Sequence, residues 1–123
     1  MKTLFLIGIG SSIGGMLRYV VSQQVQKGFL TTFPYGTLSV NILGCFLIGL
    51  VFALSDRGGL SQDWRLFLAT GICGGFTTFS AFSNETLALL RDGQFLYASL
   101  YVTLSVVLGL LATFSGYSLL RLL

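Results

Sequence analysis

The chain contains 123 residues, of which 54% are hydrophobic and 9% are charged, and its net charge is +3. Because soluble proteins carry about a quarter charged residues, this composition excludes a water-soluble globular domain. The few basic residues are dispersed along the chain, which excludes a basic patch that would bind nucleic acid.

Four long stretches of the chain contain no charged residue: 3–17, 28–55, 66–84 and 93–120. A helix that crosses a bilayer needs about 20 mostly apolar residues. We therefore predict an all-α membrane protein with four transmembrane helices, at about 3–25, 35–55, 65–90 and 95–119. The connections are too short for a further domain, so residues 1–123 are predicted to form one four-helix transmembrane domain.

The first span follows Met1 and Lys2 and could be mistaken for a secretory signal peptide. It has no convincing cleavage site, and its pattern continues through Arg18 and Tyr19. We therefore predict that this segment is retained as the first transmembrane helix.

Glycines recur at the spacing that lets helix backbones approach closely in lipid. Gly10 and Gly14 have this GxxxG spacing in the first span, and Gly71 and Gly75 have it in the third. Four short spans enclose too little space for a pathway of their own. We therefore expect an oligomer, with small residues at its close contacts.

Four spans place both chain termini on the same side of the membrane. The basic residues predicted on that side are Lys2, Arg57, Arg65 and Arg121. The opposite side has Lys27 and Arg91, and Arg18 if its side chain reaches the interface. This positive-inside bias is weak. It permits insertion in both orientations, and hence an antiparallel homodimer, as well as one orientation with cytoplasmic termini; charge counting leaves both open.

Asn41 is the clearest polar residue at membrane depth, about two turns inside the second span and one turn after Thr37. Polar groups at this depth mark either function or a contact between helices. An asparagine amide can stabilise the bundle by hydrogen bonding to another helix. It can also act as a hydrogen-bond donor that lines a pathway, and both interpretations remain open.

The third span contains GGFTTFSAF at residues 74–82, in which a glycine pair precedes two threonines. Such a sequence can interrupt a helix, and we predict a break near Gly74–Thr78. Non-helical backbone at membrane depth is tolerated where it is buried in protein or lines a cavity. Carbonyls freed by the break, converging from two subunits, could hold a cation.

Phe79 and Phe82 lie three residues apart on one face of the restarted helix. Their ring edges carry partial positive charge and can attract an anion weakly. From the residues alone, packing is the better explanation of both rings. Glu85 follows one turn later, and it could face an aqueous vestibule, cap a neighbouring helix or pair with a basic residue.

The fourth span carries a stripe of small or hydroxylated residues at Tyr101, Ser105, Gly109 and Thr113. The spacing of four places them on one helix face. The stripe indicates a polar track, unless its hydroxyls bond back to the carbonyls of the preceding turn.

The two cysteines, Cys45 and Cys73, lie singly inside spans, and the chain has no histidine. This pattern gives no support to zinc binding or thiol–disulfide chemistry, so both are interpreted as small packing residues.

Three motifs together resemble the CrcB/Fluc family of small fluoride ion channels, over essentially the full length. The main one is GGFTTFSAFSNE at residues 74–85, which matches in order and spacing over twelve positions. NILG at residues 41–44 and the Arg18-Tyr19 pair support it. The resemblance implies an antiparallel, dual-topology homodimer in a bacterial-type plasma (inner) membrane, with two pores that export fluoride passively from the cytoplasm.

The resemblance also implies roles for individual residues. The residues that correspond to the fluoride pathway are Asn41, Phe79, Phe82, Ser80, Thr37, Tyr101 and Ser105. Among these, Phe79 and Phe82 resemble an aromatic box that lines each pore, and Asn41 resembles a pore-facing amide donor. Gly109 stands where homologues can carry another hydroxyl, so Thr113 or water would have to complete the polar track.

The resemblance further implies a vestibule and a bound ion. Arg18 and Glu85 are expected at the vestibule. The main-chain carbonyls of Gly74 and Thr77 are expected to enclose a structural sodium ion at the dimer interface. The expected partners are therefore fluoride, sodium, the lipid bilayer and a second copy of the chain, with no nucleic acid.

Two other functions fit a small four-span protein. A small multidrug transporter shares the size and dual topology but relies on a carboxylate in its first helix, and residues 3–25 contain no Asp or Glu. A non-transporting scaffold would use the glycines and Asn41 for packing alone. An enzyme is not expected, because the spans contain neither histidine nor paired carboxylates and present no activated nucleophile.

Overall fold

The computed structural model describes residues 1–123 and is entirely helical. The first span is α1 (Lys2–Lys27), the second is α2 (Tyr35–Asp56) and the fourth is α6 (Phe95–Leu122). The third span runs from Gln62 to Arg91 and is divided into α3 (Gln62–Arg65), a π-helical segment (Leu66–Cys73), α4 (Gly74–Phe76) and α5 (Ser80–Arg91).

All four helices are long and apolar enough to cross a membrane, which confirms the predicted multi-pass architecture. Their ends lie within about three residues of the predicted ends, which is close to the ambiguity of any helix boundary. Large apolar side chains are exposed along every span. A surface of this kind is stable against lipid and not against water.

The first span packs against the third through glycines. A Cβ added at Gly10 would lie 2.9 Å from the Gly71 Cα, and one added at Gly75 would lie 2.5 Å from the main-chain oxygen of Ser11. Gly14 faces the Ile72 carbonyl in the same way. The GxxxG spacings therefore serve contacts inside one chain, and our expectation that they mark oligomer contacts was wrong.

A second close pair joins α2 to α6, the two helices that share the most extensive contact. Gly49 packs on the Thr113 carbonyl, and Gly116 packs on the Phe46 carbonyl. The bundle thus consists of two tightly packed pairs, the first span with the third and the second with the fourth. The face between α2 and the third span carries the candidate site.

The third span is broken, as predicted, but at Thr77–Phe79. Thr77 is extended, with φ −88° and ψ 158°. Gly74 has helical angles, φ −63° and ψ −38°, and Gly75 is helical too. The glycine pair therefore does not start the break. At Gly75 the missing side chain instead allows the close approach of Ser11 on α1. The break begins two residues after the end of the glycine pair.

Charged and polar side chains tie the helices together at the end that holds both chain termini. Lys2 Nζ lies 2.8 Å from Asp63 Oδ2, which links α1 to α3. Arg57 Nη1 donates to the Leu120 carbonyl at 2.9 Å, and the Tyr117 hydroxyl donates to Asp56 Oδ2 at 2.6 Å. These contacts place the termini on one side, as four spans require.

Candidate functional site

Asn41 on α2 holds the break in the third span through two hydrogen bonds. Its Nδ2 donates to the Thr78 carbonyl at 3.1 Å, and the Thr78 N–H donates to Asn41 Oδ1 at 2.8 Å. Thr78 lies outside any helix, so its peptide groups need partners at membrane depth. Asn41 therefore makes the interhelical bonds considered above, and one of its two amide N–H groups remains for another acceptor.

Three further hydrogen bonds shape the backbone around the break. Arg18 Nε donates to the Gly75 carbonyl at 3.2 Å, from α1. The Thr77 hydroxyl donates to the Cys73 carbonyl at 3.0 Å, and the Ala81 N–H donates to Thr78 Oγ1 at 3.2 Å at the start of α5. The break is therefore bonded from both flanking spans and from its own side chains.

Two main-chain carbonyls at the break accept no hydrogen bond within the chain. The Gly74 carbonyl would accept the Thr78 N–H in a continuous helix, but that donor is bound to Asn41. The Thr77 carbonyl leaves the helix in the extended segment and has no donor either. These are the two residues predicted to hold sodium, and oxygen atoms without donors are suitable ligands for a hard cation.

A cavity of about 370 Å³, here called the central cavity, lies beside the break. The predicted pathway residues that line it are Asn41, Phe79, Phe82 and Ser105. None of the lining residues carries a charge. The Ser105 hydroxyl is buried and has no hydrogen-bond partner, so it does not bond back to its own helix. The cavity therefore offers neutral donors within an apolar wall.

The two phenylalanines are packed unequally. Their ring centroids lie 5.6 Å apart at an angle of 49°. Phe82 also lies 5.0 Å from the ring of Tyr101, against the hydrophobic core. Phe79 is 78% exposed, at the open side of the cavity. Phe82 thus packs inside the chain, whereas Phe79 has only a small part of its surface covered.

A second cavity of about 350 Å³, here called the polar cavity, lies nearer the loops that precede α2 and follow α5. Its polar lining residues are Ser22, Gln23, Gln26, Thr32, Thr37, Glu85 and Asp92. Seven such groups around one space make it suitable for water. Both Thr37 and Glu85 were predicted from the sequence, the latter for the vestibule.

Glu85 stands between the polar cavity and the aromatic rings. The Thr37 hydroxyl donates to its Oε2 at 2.9 Å, and the Tyr101 hydroxyl donates to its Oε1 at 2.9 Å. Tyr101 is fully buried, and its ring contacts Phe82. Glu85 thus lines the polar cavity and is bonded to two hydroxyls rather than to a basic residue.

Comparison with known proteins gives the family. The model of the family described as CrcB-like protein, Camphor Resistance (CrcB) matches residues 5–117. The chain belongs to the CrcB family. This membership excludes the small multidrug transporter family, and it agrees with the multi-pass membrane architecture. The curated relatives are named ion channels and not enzymes.

Curated relatives within this family are similar over nearly the whole chain. A Flavobacterium psychrophilum protein is 51% identical over 117 residues, which cover 94% of each chain. A Thermus thermophilus protein is 50% identical over 97% of this chain and 95% of its own. A Granulibacter bethesdensis protein is 48% identical over 100% of this chain and 98% of its own. Each relative is named a fluoride-specific ion channel.

Some predicted residues of this CrcB protein lie outside the two cavities. Arg18 contacts the break and lines neither cavity. Ser80 is exposed, and its hydroxyl lies 3.3 Å from that of Thr78. Gly109 packs against the Cys45 sulfur, and Thr113 faces a separate cavity near the chain termini. The stripe on α6 is therefore not one continuous track within the chain.

Sequence reasoning missed Thr78 as the partner of Asn41 and missed Gln26 and Asp92 at the polar cavity. Gln26 donates to the Phe33 carbonyl at 3.1 Å and accepts from the Gly36 N–H at 3.0 Å. The available signal was a polar residue in the last turn of α1 followed by a proline-containing loop. That signal did not identify its partners.

Tyr101→Phe is expected to lower both the stability of the protein and its transport rate. The change removes a buried hydroxyl bonded to a carboxylate, and such a bond contributes about 1.5–3 kcal/mol. Thermal unfolding in detergent and transport after reconstitution measure the two effects. Tyr97→Phe is the matched control, because Tyr97 packs near the same core without a hydroxyl bond to Glu85. Equal losses in the two variants would contradict a role for the Glu85 bond.

Proposed function

We propose that this protein is a fluoride-selective ion channel that lets fluoride leave the cytoplasm passively across the bacterial inner membrane. The observation that carries the proposal is the central cavity, which combines neutral hydrogen-bond donors with the edges of Phe79 and Phe82. It is supported by relatives of about half-identical sequence that are named fluoride-specific ion channels.

The chemistry of fluoride suits such a lining. The ion is small and holds its water tightly, so a pore must replace hydration with compact donors. The free amide N–H of Asn41, the unpartnered hydroxyl of Ser105 and the aromatic C–H edges supply them. A lysine or arginine would bind the ion too firmly for release, and the cavity contains neither. Chloride is larger and gains less from a tight donating site.

The two cavities suggest a route through the chain. Fluoride would enter the polar cavity in water and then pass the wall formed by Thr37, Glu85 and Tyr101. At that wall the two hydroxyls now donate to the carboxylate, and a fluoride ion would accept the same O–H groups. The ring of Phe82 lies between this wall and the central cavity, because it contacts Tyr101 on one side and lines the cavity on the other.

We further propose that two chains form an antiparallel homodimer with two such pathways. The exposed ring of Phe79 supports this, since the central cavity opens beside it and one chain does not close it. A sodium ion at the interface fits the Gly74 and Thr77 carbonyls, which lack donors in the chain. Bound there, sodium would supply the positive charge that converging carbonyl oxygens require.

Reconstitution into liposomes tests the proposed function. Fluoride and chloride efflux are followed with ion-selective electrodes after the potassium gradient is released with an ionophore. We expect rapid fluoride efflux and no measurable chloride efflux. Absence of fluoride flux, or chloride flux of similar size, would overturn the proposal, and a stable dimer without any flux would favour the scaffold alternative.

Phe82→Ile is expected to slow fluoride efflux by about tenfold or more. The reason is that the change removes the partially positive edge of the ring, which attracts the anion, and leaves an aliphatic side chain in its place. Phe79→Ile is expected to act in the same direction. Efflux from liposomes measures the rates, and gel filtration establishes that the assembly is intact. The matched control is Phe5→Ile, because Phe5 is exposed on α1 and lines neither cavity. Unchanged flux in both site variants would show that the rings only pack.

Removal of sodium is expected to lower the temperature at which the purified dimer dissociates or unfolds. A ligand that binds only the assembled state stabilises it by an amount that grows with the logarithm of its concentration. The measurement compares sodium chloride with N-methylglucamine chloride at equal ionic strength. A transition temperature independent of sodium would contradict the proposed ion site at Gly74 and Thr77.

A further inference from the structure

The central cavity contains two thiols that the proposed function does not use. Cys45 lies on α2 and Cys73 ends the π-helical segment, and both line the cavity. They are the only cysteines of the chain, and neither forms a disulfide. Cys73 is 5% exposed, and Cys45 is half-buried with its sulfur against Gly109.

The register between α2 and the third span brings these thiols to the same level. Asn41 pairs with Thr78, and three residues later along α2 Gly44 packs on the Thr77 methyl group. Moving forward along α2 therefore moves backward along the third span. The next turn places Cys45 opposite Cys73, and both residues line the central cavity.

The donor set selects the kind of ion that fits. Thiolates are soft ligands that prefer soft metals. Structural zinc requires four ligands, and the chain holds no group of three or more histidine, cysteine or carboxylate side chains. A divalent cation between two thiolates is neutral overall. A monovalent cation between them, or a divalent cation on one of them, leaves a net charge, which is unfavourable at membrane depth.

We propose that Cys45 and Cys73 together chelate a soft divalent cation that accepts two ligands, of which Hg²⁺ is the example. Each thiol releases its proton and each thiolate donates an electron pair to the metal, so one cation replaces two protons without oxidation. The bound ion lies in the cavity lined by Asn41, Phe82 and Ser105 and blocks it. The predicted block of fluoride flux rests on the proposed function, whereas the binding of the metal is independent of it.

Binding is tested with mercuric chloride and purified protein in detergent, with mercury in excess of both thiols, by intact mass measurement under non-denaturing conditions. The expected product of the wild-type chain carries one mercury atom in place of two protons. Cys45→Ala and Cys73→Ala are expected to lose that product, and gel filtration selects folded samples of each. Two mercury atoms on each wild-type chain, or an unchanged bridged product in either variant, would overturn the proposal.

The effect on flux is tested in liposomes, with each variant compared with its own untreated rate. Mercuric chloride is expected to reduce wild-type fluoride efflux by about tenfold or more, and a dithiol is expected to restore it. A monothiol is expected to restore the single-cysteine variants at about 100-fold lower concentration than the wild type, since two linked ligands hold the ion more firmly than one. If the wild type and the single-cysteine variants recover their flux at the same monothiol concentration, the two cysteines do not chelate the ion together. If untreated protein carries no fluoride, the proposed function fails, and the mass measurement still decides the metal site.

Discussion

Replacing Asn41 with alanine is expected to reduce fluoride efflux by about 100-fold or more, since loss of positioning at a site has effects of this size. The change removes both bonds to Thr78 and leaves its N–H and carbonyl without partners. An unsatisfied buried polar group costs about 1–3 kcal/mol. The break would relax toward another geometry, and the rings of Phe79 and Phe82 that follow it would move.

Asn41→Asp separates the two roles of this side chain. A carboxylate still accepts the Thr78 N–H but cannot donate to its carbonyl, and it brings a negative charge into the central cavity. We expect the aspartate variant to be no more stable than the alanine variant in thermal unfolding, because its charge lies at membrane depth against the Thr78 carbonyl. We also expect it to carry no fluoride, because the charge repels the anion.

Ser39→Ala is the matched control for both Asn41 variants, since Ser39 lies on α2 outside both cavities. Fluoride efflux and thermal unfolding are measured on all three proteins. If the alanine variant at position 41 retains wild-type flux, Asn41 neither holds the break nor lines the pathway.

Gly14→Ala is expected to destabilise the protein by about 1–3 kcal/mol, as overpacking in tight contacts does. The added methyl group would overlap the Ile72 carbonyl and lie 2.9 Å from the Phe76 nitrogen, both of which are main-chain atoms. The neighbouring span cannot yield by rotating a side chain, so α1 must move outward. Arg18, one turn further along α1, would then lose its bond to the Gly75 carbonyl.

Gly8→Ala is the control on the same helix, because a Cβ there meets no atom within 4 Å. Alanine is the better helix former by about 1 kcal/mol, so this variant is expected to be as stable as the wild type or more stable. Midpoint temperatures of unfolding in detergent measure the difference. Equal midpoints for the two variants would show that α1 can leave the third span without loss.

Span number and span ends could be predicted from the sequence because lipid imposes a length and a polarity on each helix. The presence of a break could also be predicted, since the motif at residues 74–85 is specific. Its position could not be predicted from local propensity. Glycine has a weak helix preference, yet Gly74 and Gly75 are both helical, and the backbone of α1 packs closely on Gly75.

Pairings between spans were the least predictable part of the site. Asn41 and Thr78 are 37 residues apart, and their bonds depend on how far α2 slides along the third span. The eight-residue π-helical segment alters that register in a way no hydrophobic pattern indicates. The cysteines were interpreted separately as packing residues for the same reason, because only the register brings Cys45 and Cys73 to one cavity.

The bonds from Asn41 and Arg18 to the broken span lie within one chain, and this has a thermodynamic consequence for the proposed dimer. An irregular segment that became ordered only on association would subtract its conformational entropy from the affinity of the two subunits. Here that entropy is already lost when a single chain folds. A newly inserted protomer would therefore carry a pre-organised docking face, and dimerisation could proceed as the meeting of two nearly rigid bodies.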